Sequence, residues 1–198
     1  MHKEISTPIP SWAAQTGASA WLRAVGIVVA GSALVAVCAH LALPLWFTPV
    51  PLTLQPMAVL LLGLLLSPRL AGATLGAYLA EGALGLPVFA PGPALSGGLA
   101  HLLGPTGGYL MAYPAAAVLI SILWRRFGRG YSMALVSAAA GNLLILMSGA
   151  LWLAALSHTP ARTVLTLAVL PFLPGDALKV AAAAALASAF RRIRQRVQ

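Results

Sequence analysis

A succession of six apolar runs, each cut short by proline, glycine or arginine, constrains this chain more than any other feature. The first three lie at about Leu22–Leu43, ending at Pro44; at Leu52–Leu66, ending at Ser67-Pro68-Arg69; and at Leu70–Leu84, before Gly85-Leu86-Pro87. The fourth extends from Gly104-Pro105 to Trp124-Arg125-Arg126, the fifth covers Ser132–Leu153, and the sixth starts at Pro174-Gly175-Asp176 and ends at Phe190. A bilayer's hydrocarbon core, about 30 Å thick, takes roughly 20 apolar residues in helical form. The second and third runs are the short ones. With 60% of residues hydrophobic and 8% charged, the chain has too little polar surface to coat a water-facing core. The expected fold class is therefore an all-α integral membrane protein with six transmembrane helices. Soluble globular, disordered, collagenous and disulfide-rich classes are excluded. Cys38 is the sole cysteine, so neither an internal disulfide nor a cysteine-rich metal site can form.

Charge placement tests the count independently. Six spans put Lys3, Arg23, Arg69, Arg125, Arg126, Arg129, Arg191, Arg192, Arg194 and Arg196 on one side, ten of the twelve basic residues. Arg162 stands alone on the other side, and Lys179 falls inside a span. By the positive-inside rule both termini are expected in the cytoplasm, in a multi-pass membrane protein. A net charge of +9 would point to nucleic acid in a soluble chain; here it sets orientation, and no nucleic-acid partner is expected. Residues 1–21 read as an N-terminal cytoplasmic tail whose prolines and Trp12 fit the interface, 22–190 as the membrane domain, and 191–198 as a basic cytoplasmic tail. The first 20 residues hold no apolar core of signal-peptide type.

The three loops expected outside are rich in proline and glycine yet apolar: residues 44–56, 85–108 and 156–175. Irregular backbone of this kind is tolerated at membrane depth where protein covers it or where it lines a cavity. A single helix from Ala161 to Phe190 would run about 45 Å, so the third loop is expected to hold a separate interfacial helix over about Ala161–Leu170. Each proline alone would be read as a helix stop. Three such loops on one face suggest a lid or pocket.

Few residues can carry chemistry. The acids are Glu4, Glu81 and Asp176. Asp176 and Lys179, at i and i+3, share one face of the last span, either as a helix cap with its neutralising partner or as a polar clamp. A carboxylate accepts hydrogen bonds and an ammonium donates them, so the pair suits a head group offering both N–H and C=O. Glu81, near the outer end of the third span, has no basic neighbour in sequence and reads equally as structural. Asn142, mid-span, is either interhelical glue or a ligand contact. The Gly104-Pro105-Thr106-Gly107-Gly108-Tyr109 turn lets backbone approach a ligand and offers two hydroxyls, although tight packing explains its glycines nearly as well. Ala181, Ala185 and Ala189 form a face for close helix contact, within the chain or with a partner. There is no G-x-x-x-x-G-K-[ST], H-E-x-x-H or G-x-S-x-G sequence and no arginine-rich span, so an ATPase of its own, a zinc or haem site, a serine hydrolase and a voltage sensor are excluded.

Four stretches carry a family resemblance. Val50-Pro51-Leu52-Thr53-Leu54-Gln55, Gly85-Leu86-Pro87-Val88-Phe89-Ala90, Leu103-Gly104-Pro105-Thr106-Gly107-Gly108-Tyr109, and Pro171-Phe172-Leu173-Pro174-Gly175-Asp176 followed by Lys179 occur in order over about residues 47–190. In them the chain resembles the BioY family, the biotin-specific S components of energy-coupling factor (ECF) transporters. The resemblance implies an S-component-like bundle in the bacterial inner membrane, a biotin pocket on the outer side, no cofactor, and an energy-coupling module of a transmembrane T protein and ABC-type ATPases. It also implies that Asp176 and Lys179 meet the bicyclic ring, while Tyr109 and the Gly104–Gly108 turn form the pocket wall; Gln55 stands within the first motif. Some members place an arginine soon after the glycine turn. Here Leu110-Met111-Ala112-Tyr113 follows, leaving Tyr113, backbone N–H groups or His101 for the valerate carboxylate. A solitary or homo-oligomeric biotin carrier is the alternative. An intramembrane enzyme using Glu81 or Asp176 as acid or base lacks a partner nucleophile or metal cluster.

Overall fold

The computed structural model describes residues 11–91, 98–158 and 160–197. Eight helices follow in order among them: α1 Ser11–His40, α2 Gln55–Leu65, α3 Pro68–Ala83, α4 Leu99–Leu102, α5 Gly107–Phe127, α6 Tyr131–Ser157, α7 Ala161–Ala168 and α8 Leu173–Val197. Between α1 and α2 the chain makes a ribbon of two short antiparallel strands, β1 Ala42–Leu43 and β2 Leu52–Thr53, pairing Ala42 with Thr53 and Leu43 with Leu52. By length and composition, α1 over Ser19–His40, α5, α6 and α8 can each cross a membrane.

The helix ends differ from the apolar runs for physical reasons. α1 begins at Ser11, before the run at Leu22, and α8 continues through its arginines to Val197, past Phe190. Charge ends an apolar stretch without ending a helix; arginine is a good helix former and sits well at a C-terminus. The segment expected as a basic tail is thus helical over Arg191–Val197. α6 runs to Ser157 and stops on a left-handed His158 (φ 51°). The second run starts as strand β2, and the helix waits until Gln55-Pro56, where proline suits the first turn. At Ser67-Pro68 the chain turns at once into α3, Ser67 Oγ accepting from the Leu70 N–H at 3.4 Å.

α5 is the centre of the packing, burying Tyr109, Tyr113, Ala116, Ala117, Ile120, Ser121 and Trp124 against α2, α3 and α6. α2, apolar around its circumference, buries Ala58, Val59, Leu60, Leu62 and Leu64 beside α5 and α8. Ala183, Ala184 and Ala187 of α8 are buried, whereas Ala185 and Ala189 of the expected alanine face are exposed. Two apolar clusters result. One gathers Tyr109, Tyr113, Ile145 and Phe172; the other holds Leu60, Leu64, Ile120, Trp124 and the three buried alanines.

Candidate functional site

The first turns of α2, α5 and α8 converge below the β-ribbon and α4, and a cavity lies among them. Asp176 stands in the first turn of α8, where its backbone N–H bonds the Phe172 carbonyl at 2.8 Å. Lys179 Nζ donates to Asp176 Oδ1 at 2.9 Å, and Asn142 Nδ2 of α6 donates to Asp176 Oδ2 at 3.1 Å. Asp176, Lys179 and Asn142 are buried at 5, 6 and 7% exposure, deep enough for their charges to require this pairing. Capacity remains: a carboxylate has about four lone-pair sites and an ammonium three N–H groups. Asn142 Oδ1 has no donor.

The other walls are polar at chosen points. Thr53 donates to Gln55 Oε1 at 3.3 Å, Gln55 Nε2 donates to the Tyr78 hydroxyl, and Tyr78 donates to the Val88 carbonyl at 3.0 Å. These bonds tie β2, α2 and α3 to the segment after α3 and fix the amide of Gln55 at the cavity wall. Thr106, Tyr113 and His101 also line the cavity; the Thr106 hydroxyl has no partner, and the His101 ring packs on Phe89 with centroids 4.8 Å apart. Tyr109 contributes its ring, 6.4 Å from that of Phe172, while its hydroxyl donates to the Ala168 carbonyl at 2.7 Å.

Some sequence candidates stand elsewhere. Gly107 and Gly108 do not line the cavity; a Cβ on either would strike the Leu102 carbonyl or Trp152, so they serve close backbone packing. Glu81 is half-buried outside the cavity and accepts from the Ser32 hydroxyl at 2.9 Å, joining α3 to α1. Asn142 reaches the cavity only through Asp176.

The cavity encloses about 50 Å³. Drug-sized ligands occupy pockets of about 300–1,000 Å³, so a bicyclic molecule enters only if the lining parts. Hydrogen bonds tether the loop elements beside the cavity. Helix α7, within the bounds expected for a short helix in the third loop, is held at its last turn by two hydroxyls: Thr48 donates to the Leu167 carbonyl at 2.8 Å, and Tyr109 to that of Ala168. Thr48 and Tyr78 went unnoticed in sequence because their partners are remote; an isolated hydroxyl in an apolar stretch is the only available signal. Pro114 inside α5 was legible but unread: it has no N–H, so the carbonyl of Leu110, a cavity residue, loses its helical partner. Part of the second loop, residues 92–97, lies outside the described residues.

Among the described residues no cluster of His, Cys, Asp and Glu could hold a metal. A small, largely apolar cavity that holds a buried ion pair, under the loops of a bundle with four membrane-length apolar helices, belongs to a solute-binding membrane protein. The chain belongs to the BioY family, whose model matches residues 9–196. It is similar to the "Probable biotin transporter BioY" of Pyrococcus horikoshii, 42% identical over 70% of this chain and 79% of that protein. The "Biotin transporter BioY" of Thermotoga maritima is 33% identical over 82% of this chain and 92% of its own. Among solved structures, the S-component for biotin from an ECF-type ABC transporter superposes with a TM-score of 0.80 at 29% identity, over 88% of this chain and 93% of that one.

Proposed function

We propose that this chain takes up biotin across the cytoplasmic membrane as the substrate-binding S component of an ECF-type transporter. The observation that carries the reading is the buried Lys179–Asp176–Asn142 chain at the cavity of a BioY-family protein. A ureido ring offers two N–H donors and one carbonyl acceptor, which the spare lone pairs of Asp176 and the spare N–H groups of Lys179 complement. Asn142 holds Asp176 in place. Gln55, Thr106 and Tyr109 supply the wall, with Gly107 and Gly108 setting how close α5 comes to its neighbours. His101, Tyr113 or backbone N–H groups receive the carboxylate. Transporter relatives throughout the family leave no support for an enzyme.

The spanning elements are α1, α2, α3, α5, α6 and α8, six in all, which form the membrane domain of 22–190 between two cytoplasmic ends. Support comes from the clustering of arginines at the α2–α3 turn, the α5–α6 turn and the end of α8. α2, about 16 Å long, spans only in company, since the helices around it keep lipid away. Partners are a transmembrane T protein and two ABC-type ATPases in a bacterial inner membrane. Capture on the outer side is followed by closure of the β-ribbon and α7 over the ligand. Labelled-biotin uptake by cells carrying this chain with and without a coupling module tests the assignment. Uptake that rises with the module is expected; equal rates would leave the solitary or oligomeric carrier instead.

A further inference from the structure

At the other end of the same helices lies a second concavity of about 400 Å³, lined by Leu64, Leu65, Trp124, Arg125, Arg129, Ala187, Phe190, Arg191, Arg194 and Gln195. Four guanidinium groups surround it, and among the described residues no carboxylate pairs with them: Glu81 bonds Ser32, and Asp176 bonds Lys179 and Asn142. Their positions are prepared. Ser121 donates to the Leu66 carbonyl at 2.6 Å and accepts from Arg125 Nε at 3.2 Å, while Arg191 donates to the Arg129 carbonyl. Each of those two guanidinium groups spends one donor within the protein and keeps the rest for a ligand. Trp124, 4% exposed, borders the same cavity, and among the described residues its indole N–H has no acceptor.

We propose that this arginine groove binds the phosphate of an anionic membrane phospholipid. Like charges gathered without a counter-charge repel, and a phosphate diester relieves that repulsion while accepting forked hydrogen bonds from arginine. Orientation alone would require arginines anywhere near the helix ends; it does not require a concavity, two anchored guanidinium groups and an unsatisfied indole N–H together. The apolar wall of Leu64, Leu65 and Phe190 beside the charges favours an amphiphile over free phosphate. Basic pockets between helices at a membrane surface suit such head groups.

The test is native mass spectrometry of the full chain purified in detergent, with phosphatidylglycerol, phosphatidylcholine or inorganic phosphate added. Phosphatidylglycerol is expected to remain bound in preference to phosphatidylcholine. The Arg125→Gln/Arg191→Gln double variant should retain at least about tenfold less of it, and Trp124→Phe, which removes the indole N–H, about threefold less. Far-ultraviolet circular dichroism and gel filtration identify a variant that fails to fold, and the lipid comparison on the unaltered chain stands regardless. Equal retention of the two lipids would overturn the proposal, as would undiminished phosphatidylglycerol in the double variant. Thermal stabilisation by inorganic phosphate with no lipid retained would reassign the groove to a soluble anion. Loss of coupling-protein association with lipid retention intact would make it a protein-docking surface.

Discussion

The N-terminal and C-terminal ends of α2, α5 and α8 are built from the same three helices and treat charge in opposite ways. At the N-terminal end two opposite charges are buried and bonded to each other, and Asn142 donates to Asp176. At the C-terminal end four arginines, three exposed and Arg191 half-buried, stand around a groove with no acid beside them among the described residues. The helix macrodipole contributes to both: N-termini favour the carboxylate of Asp176, and C-termini favour the arginines. The difference teaches where each end keeps its counter-charge. The chamber has its own and needs only to exchange hydrogen bonds when a neutral ring arrives, whereas the groove must take its counter-charge from outside.

Removing one charge at a time is the strongest way to break this comparison. Lys179→Met leaves Asp176 buried without its cation and should destabilise the protein by about 3–5 kcal/mol in a thermal melt, with biotin binding abolished. The double variant Asp176→Asn/Lys179→Met should recover most of that stability and still not bind. At the other end, Arg194→Gln should change stability by about 0.5 kcal/mol or less, as exposed positions do. Similar losses at both ends would show that the chamber pair is no more interdependent than a surface charge. Binding that survived the double variant would return the pair to a purely structural role.

A smaller effect separates packing from ligand contact within the chamber end. Gly108→Ala places a methyl group against Trp152, and overpacking of this kind costs about 1–3 kcal/mol. The melting temperature should fall while the protein that remains folded binds biotin with unchanged affinity. An affinity loss larger than the stability loss would put Gly108 back at the ligand.

How much of this was legible follows from range. Hydrophobic runs are local, so the long helices α1, α5, α6 and α8 could be read directly, and the facing of Asp176 and Lys179 follows from i, i+3 geometry. The helices extend past the apolar runs where charge follows, as at Arg191, because charge ends an apolar stretch without ending a helix. What sequence could not reveal is contact across the bundle. Asn142 meets Asp176 from 34 positions away, Glu81 meets Ser32 from 49, and Thr48 reaches Leu167 from 119. The charge of Glu81 therefore fits a site role and a structural one equally from sequence, and its bond to Ser32 joins α1 to α3. The glycine turn was ambiguous for a different reason: the same missing Cβ serves ligand approach and helix packing, and only the position of Trp152 decides between them.

The finest test concerns what holds α7 beside the chamber. Tyr109→Phe retains the ring at the cavity wall and removes the hydroxyl that holds the Ala168 carbonyl, leaving Thr48 as the other hydroxyl on the last turn of α7. One buried hydrogen bond is worth about 1 kcal/mol, so biotin should dissociate roughly fivefold faster. The loss belongs in the off-rate because the bond is made by the closed lid rather than by the ligand. Stopped-flow dissociation against excess unlabelled biotin would measure it, with the association rate unchanged or slightly raised. A slower association with no change in dissociation would mean that the hydroxyl guides entry, and α7 would then be a fixed wall rather than the part that opens.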